Sequence, residues 1–315
     1  MKKTAKAFAP AAISSFFEIH DTENDTPIVD LDRMGSIGGG FGLQKGVFTQ
    51  VTVEEAKTSR ITVFINGKLA PEAKTTKLTI ETLLSKLPKS YFVIVNHKID
   101  VPIGAGFGTS AGGALTAGLA LKEALDLPLT YNQIGQIAHM AEIECKTGLG
   151  TVSSLTSTGG CVLVVKPGAP GICQIDRIPI HPEYVVVAGS FQSNILNKNV
   201  LTDPKKRQAI NGYGKHTLEA ILAEPSLENF LLQCWNFAEK TGFATQNVCQ
   251  LVKLAKKAGA VGAAQNMIGE AVHAIVPQEN ANAVAEAFKQ VLPSENILVS
   301  KIDFQGARLV GNEEI

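Results

Sequence analysis

The apolar positions of the first hundred residues recur mostly every second residue, the period of a β-strand. Ala7–Phe17 is an apolar run of small and aromatic residues, Gly46–Val53 alternates Val47, Val51 and Val53, and Arg60–Asn66 alternates Ile61, Val63 and Ile65. The last run meets Asn66-Gly67, a dipeptide suited to the two positive-φ positions of a tight hairpin turn. Thr76–Leu87 changes period. Its Leu78, Ile80, Leu83, Leu84 and Leu87 have helical spacing. Ser90–Ile99 reads as a strand again, and its Phe92–Val95 run is apolar enough for burial on both faces.

The middle of the chain is helical. Thr109–Leu125 is apolar nearly all round until Lys122 and Glu123, the pattern of a helix inside a protein. Tyr131–Lys146 is amphipathic, with Ile134, Ile137, Ala138, Ala141 and Cys145 on one face. Gly159–Val165 reads as a short strand ending at Lys166-Pro167-Gly168. The Pro- and Gly-containing stretch Pro167–Pro179 suggests a lobe boundary, dividing the chain into residues 1–175 and 176–315. Beyond it come a strand (Tyr184–Phe191), helices (Pro204–Ala223 and Ser226–Ala258), a strand, a helix (Glu279–Leu292) and a strand (Asn296–Ile302). Strands and helices mixed in this order predict an α+β protein with two layers in each lobe.

Composition narrows the function classes. At 315 residues and 45% hydrophobic the chain can bury a sizeable core. Lys+Arg and Asp+Glu are 29 each, which argues against a surface built mainly for nucleic acid or anionic membrane. A small-molecule partner fits better, and self-association as a homodimer is left open. The five cysteines are scattered with no Cys-x-x-Cys pair, against a disulfide framework or structural zinc and in keeping with a reducing cytoplasm. Met1-Lys2-Lys3 before Ala7–Phe17 faintly outlines a signal peptide, but Lys6 and Pro10 interrupt the apolar run and no convincing cleavage site follows. No stretch reaches the ~20 apolar residues of a membrane span.

The most informative segment is Pro102-Ile103-Gly104-Ala105-Gly106-Phe107-Gly108-Thr109-Ser110-Ala111, between a predicted strand and a predicted helix. Gly104, Gly106 and Gly108 let the backbone turn tightly and approach a ligand without Cβ clashes. Thr109 and Ser110 stand where the helix opens, so unpaired amides and the helix dipole face the loop and favour phosphate. The glycines alone fit a plain connection before a buried helix equally well. The run is not a Walker loop, because Gly-Lys-Ser/Thr is missing. It also fits a dinucleotide fingerprint poorly, with Thr109 at the third glycine. On the next helix Gly135, His139, Glu142 and Lys146 lie three to four residues apart and form one stripe. Spacing alone favours a solvated Glu142–Lys146 ion pair there.

Taken whole, the loop resembles the second motif of the GHMP kinases (galacto-, homoserine, mevalonate and phosphomevalonate kinases), Pro-x-Gly-x-Gly-Leu-Gly-Ser-Ser-Ala. It departs by Phe107 and Thr109. Ala9-Pro10-Ala11-Ala12 with Phe17-Glu18 resembles a degenerate first motif, with Ala12 at its basic position. Gly259–Gly269 falls where the third belongs. Gly35-Ser36-Ile37-Gly38-Gly39-Gly40-Phe41, Ala138-His139-Met140-Ala141-Glu142 and Thr147-Gly148-Leu149-Gly150 resemble blocks of the archaeal pantoate kinases. Two positions depart from those kinases. Thr151 stands where they carry Asp, and Leu163 and Val164 stand where they carry an Arg read as a carboxylate contact, with only Lys166 nearby.

The resemblance implies a two-lobed GHMP kinase fold with the nucleotide between the lobes, and ATP-dependent phosphorylation of pantoate on the way to coenzyme A. A homoserine- or mevalonate-type kinase, or a catalytically degenerate ligand-binding protein, are the alternatives. It implies that Pro102–Ala111 holds ATP and that Ser110 and Glu142 hold Mg²⁺. It further implies that Ser36, His139 and Asn197 grip the acceptor, His139 also aiding transfer. Asn197 and Lys198 belong to a segment, Ser193–Leu201, that resembles a substrate-side stretch of the family.

Overall fold

The computed structural model describes residues 1–24, 26–191 and 203–311. Asn197 and Lys198 lie outside the described residues. The chain runs β1 (Lys3–His20), a hairpin of β2 (Thr22–Glu23) and β3 (Thr26–Pro27), β4 (Gly35–Ala56), β5 (Arg60–Ile65), β6 (Lys68–Leu69) and α1 (Lys74–Leu84). Next come β7 (Ser90–Ile99), α2 (Thr109–Leu125), α3 (Tyr131–Glu144), α4 (Thr151–Ser157), β8 (Cys161–Lys166), β9 (Gln174–Ile178) and β10 (Tyr184–Ser190). The remainder is α5 (Pro204–Ala223), α6 (Leu227–Lys240), α7 (Gln246–Lys257), β11 (Gly262–Gln265), β12 (Ala271–Pro277), α8 (Ala281–Phe288), β13 (Ile297–Lys301) and β14 (Arg308–Leu309).

An eight-stranded sheet forms around the antiparallel pair β1–β4, in the order β14-β1-β4-β7-β5-β6. The other edge of β4 divides: Val47–Ala56 pairs with β7, and Gly38–Phe41 pairs with β8, which pairs in turn with β9. β4 therefore belongs to two parts of the molecule at once. A second sheet of four strands has the order β11-β12-β10-β13.

The hairpin expected at Asn66-Gly67 is present. Both residues have positive φ (48° and 78°) and Ile65 pairs with Lys68. α2 is buried at every residue from Ala111 to Leu121, held between the large sheet and helices α1 and α3. One core cluster forms around α2, with Val51, Val95 and Ile134. A second joins the far halves of β1 and β4 to the small sheet and helices α5–α8. There the Phe41 and Phe230 rings meet edge to face at 5.4 Å.

Several elements differ from the sequence reading. Gly35–Phe41, for which the sequence predicted no strand, is the regular start of β4 despite its glycines. The helix expected over Ser226–Ala258 is two helices. Gly242, at φ +73°, ends the first, and the Thr245 side chain caps the second by accepting from the Val248 amide. α4 was not expected, because Thr151–Ser157 is rich in Ser and Thr, which are indifferent helix formers. Its hydroxyls bond back onto carbonyls within the helix, as Thr156 does to Val152. β9 lies inside the Pro- and Gly-containing stretch Pro167–Pro179.

Candidate active site

Gly104, Gly106 and Gly108 all take positive φ (82°, 80° and 62°), so the loop before α2 needs glycine at each. Gly106 lies against Asn266, where a Cβ would meet the Asn266 Cβ at 3.0 Å. At Gly108 a Cβ would meet the Ala12 Cβ at 3.0 Å. Ala12, standing at the basic position of the first motif, lets β1 come this close, and its amide donates to the Phe107 carbonyl at 3.0 Å. Phe107 is buried and anchors the loop, while Ile103 and Gly104 are exposed at its tip and Pro102, Ala105, Thr109 and Ser110 are half-buried. No side chain caps α2, whose N-cap is Gly108. The first amides of the helix thus point into an open bend, a ready anion site.

Ser110, in the first turn of α2, meets Glu142 from the last turn of α3. The Ser110 hydroxyl donates to Glu142 Oε1 at 2.5 Å, and Thr147 Oγ1 donates to the same oxygen at 2.6 Å. Thr75 Oγ1 lies 3.2 Å from both hydroxyl oxygens. Glu142 is only 3% exposed. Burial raises its carboxyl above the ordinary carboxylate range, and the Ser110 and Thr147 hydroxyls pull it back only in part. The ion pair with Lys146 that spacing suggested is not formed. Glu142 turns inward, and Lys146, at φ +56°, has already left the helix. Among the described residues no cluster of three His, Cys, Asp or Glu could hold a metal. A buried carboxylate beside a hydroxyl, with no cation opposite among the described residues, nevertheless suits a hard divalent ion completed by phosphate oxygens.

A cleft of roughly 60 Å³ lies between β1, β4, α4 and β8, and two residues of its lining, Ala12 and Thr151, also approach Gly108 of the glycine loop. Ser36 reaches it from β4, with its Oγ so close to Gly150 that a Cβ there would overlap it. Ser14, Thr151, Ser154 and Thr158 add further hydroxyls. Val162 and Val164 line the wall, whereas Leu163 faces the opposite core. Of the two residues at the expected arginine site, only Val164 therefore faces the cleft. His139 does not line it. The ring is 1% exposed, its Nε2 donates to the Met34 carbonyl at 3.0 Å, and burial lowers its pKa. Gly135, on the same stripe, is covered by Pro170.

Sequence reasoning missed three supports. Thr75 carries no motif, Thr147 opens the Thr147–Gly150 block without a role read for it, and only the fold brings both to Glu142. Ser15, His273 and Asn266 form a fully buried chain, with Ser15 Oγ to His273 Nε2 at 3.0 Å and His273 Nδ1 to Asn266 Oδ1 at 2.9 Å. This chain ties β1 to β12 and to the turn that backs the glycine loop, where Gly269 also abuts Ala105.

Comparison with known proteins agrees with this geometry. The family described as GHMP kinases N terminal domain matches residues 74–158, which include the loop, Ser110 and Glu142. The chain is 33% identical to the pantoate kinase of Thermococcus kodakarensis, over 93% of both lengths. It is 31% identical to that of Methanocaldococcus jannaschii, over 86% of this chain and 93% of that protein. A solved structure described as a phosphotransferase related to the CoA biosynthesis pathway superposes with a TM-score of 0.83 at 30% identity, covering 99% of this chain and all of that one. Among the described residues no helix is long and apolar enough to cross a membrane. With a loop, a hydroxyl–carboxylate pair and nearly full-length relatives in agreement, the chain belongs to the GHMP kinase family.

Proposed function

We propose that this chain is a pantoate kinase, transferring the terminal phosphoryl group of ATP to the primary hydroxyl of pantoate. One observation carries the chemistry: Ser110 at the uncapped mouth of α2 is hydrogen-bonded to the buried Glu142 at 2.5 Å. The acceptor assignment rests on the nearly full-length likeness to pantoate kinases. In this reading residues 1–175 and 176–315 are the two lobes, a cytoplasmic protein acting on a small molecule rather than on nucleic acid or membrane. A homodimer is compatible with it.

Phosphoryl transfer depends on positioning and charge neutralisation more than on covalent help. The loop amides from Gly104 to Ser110 would receive the triphosphate, and Ser110 Oγ with Glu142 would hold Mg²⁺. That ion, when bound, neutralises charge developing on the phosphate oxygens. The buried Glu142 favours this role, since its partners among the described residues are hydroxyls and none is a cation. Ser36 and the cleft hydroxyls would orient the acceptor. His139 would act on it indirectly, by fixing the Met34 carbonyl two residues before Ser36. Thr151 cannot serve as a base at neutral pH, so the acceptor hydroxyl would attack in line without a carboxylate beside it.

The test is pantoate-dependent ADP formation by purified protein, with homoserine and mevalonate as controls. Turnover with pantoate alone is expected. Preference for either control would replace the acceptor, and nucleotide binding without turnover on any of the three would point to a protein that binds but does not catalyse.

A further inference from the structure

An acceptor that carries a carboxylate needs a cation, because an unpaired anion in a cleft loses hydration without compensation. The cleft beside Ser36 is lined by hydroxyls, glycines and apolar groups, with no charged side chain among the described residues. The sheet register indicates where the charge enters. Arg177 of β9 is paired directly with Val162 of β8, and directly paired residues of an antiparallel ladder project to the same face. Val162 lines the cleft, so Arg177 emerges beside it. Its Nη1 donates to Thr158 Oγ1 at 3.0 Å, and Thr158 is itself part of the cleft wall.

The partners of the other arginines strengthen the assignment. The chain has five. Arg33 pairs with Glu23, Arg207 with Asp21 and Arg308 with Asp303, and Arg60 lies over the Phe92 ring. Arg177 alone has neither a carboxylate nor an aromatic partner among the described residues. It is exposed, with one of its five N–H donors held by Thr158 and the planar fork otherwise free for bidentate binding of a carboxylate. Lys166, the other cation of this sheet margin, is paired across from Gln174, with Val164 and Ile175 intervening before Val162 and Arg177.

We propose that Arg177, aligned by Thr158, binds the carboxylate of the acceptor and so sets the preference of this enzyme for a hydroxy acid over a neutral alcohol. The charge that the wall of β8 lacks is supplied from the neighbouring strand. This inference rests on the acceptor reading above.

Steady-state kinetics of wild type, Arg177→Ala, Arg177→Lys and Thr158→Val test it. Each is assayed with pantoate and with the analogue bearing a hydroxymethyl group in place of the carboxylate. Arg177→Ala is expected to raise KM for pantoate by about 10- to 100-fold, the scale of a charge-assisted contact, with KM for ATP unchanged. Preference for pantoate over the analogue should fall by the same factor. Arg177→Lys should fall between, because an ammonium cannot bind both oxygens in plane, and Thr158→Val should shift KM in the same direction by less. Circular dichroism confirms folding of each variant. Unchanged preference in Arg177→Ala, with wild type active on pantoate, overturns the role of Arg177 and leaves the acceptor standing. Absence of pantoate turnover by wild type overturns both, and the two failures are told apart by that first assay.

Discussion

In the proposed mechanism Glu142 carries much of the chemistry, and its burial works against the protein's stability. Its carboxyl is almost wholly buried, its pKa is raised by that burial, and its partners are neutral hydroxyls. A charge kept there without a counter-ion opposes folding at neutral pH. Glu142→Gln keeps the shape and the bond to Ser110 but removes the charge. We expect its turnover to fall by at least about 100-fold, the scale of losing one preorganised electrostatic contact, while its metal-free melting temperature rises. Thermal denaturation without nucleotide and an ADP-release assay check the two halves. A variant that lost both activity and stability would make Glu142 a structural residue. Ser110→Ala should lose activity to a similar degree, with little change in melting temperature. Its hydroxyl is only half-buried, and Glu142 keeps the Thr147 bond.

At the scale of elements, the glycine loop before α2 separates backbone conformation from packing. Gly104 and Gly106 share nearly the same φ, but a Cβ at Gly104 would meet open space and one at Gly106 would press on Asn266. Gly104→Ala should therefore cost only the left-handed conformation, about 1–2 kcal/mol. Gly106→Ala should cost that and also displace the 266–269 turn, with a larger loss of nucleotide affinity measured by calorimetric titration. Beneath the loop, Leu119→Ala in the buried α2 should destabilise the protein by about 2–5 kcal/mol in urea unfolding. These elements were also the legible ones. Ser90–Ile99, Thr109–Leu125 and Pro204–Ala223 have the boundaries that periodicity and helix-start signals give, because burial on all sides or a strict period leaves one solution. α4 and β9 were hidden for the opposite reason. Their stability comes from tertiary partners, the hydroxyl back-bonds of Thr151–Ser157 and the ladder to β8, rather than from local propensity. The site divides the same way. The loop and Ser110 could be read from chain order. Thr75, Thr147 and Arg177 gain meaning only when strands and helices distant in sequence are folded together, and His139, recognisable by motif, proves to be tied to a backbone carbonyl.

Across the whole molecule, two buried histidines couple folding to pH. His97 lies under α2, where Nδ1 is 2.7 Å from Thr49 Oγ1 and Nε2 is 3.1 Å from Thr76 Oγ1, and burial lowers its pKa to about 4. His273 joins the two sheets through Ser15 and Asn266, and burial lowers its pKa to about 3. Both stay neutral in the folded state down to about pH 4, whereas in the unfolded chain each takes up a proton near pH 6.5. Between about pH 6.5 and 4 the unfolded state thus binds more protons, and stability falls as pH falls, by up to about 1.4 kcal/mol per pH unit for each histidine. Glu142 works in the opposite sense. Its raised folded pKa lets the native state take up a proton first, which relieves the buried charge and offsets part of the loss on acidification. Urea unfolding from pH 7.5 to 4.5 should therefore show a stability plateau above about pH 7 and a decline below it. Glu142→Gln should steepen the decline by removing the compensating proton, and His97→Gln should make it shallower by about one proton. A decline of equal slope in all three proteins would place the acid sensitivity elsewhere, in carboxylates common to them. The His273 link carries the further consequence that acid should loosen the junction between the sheets before it melts the helices. Loss of tryptophan fluorescence from Trp235, which belongs to the core shared by both sheets, should then precede loss of helical circular dichroism as pH falls.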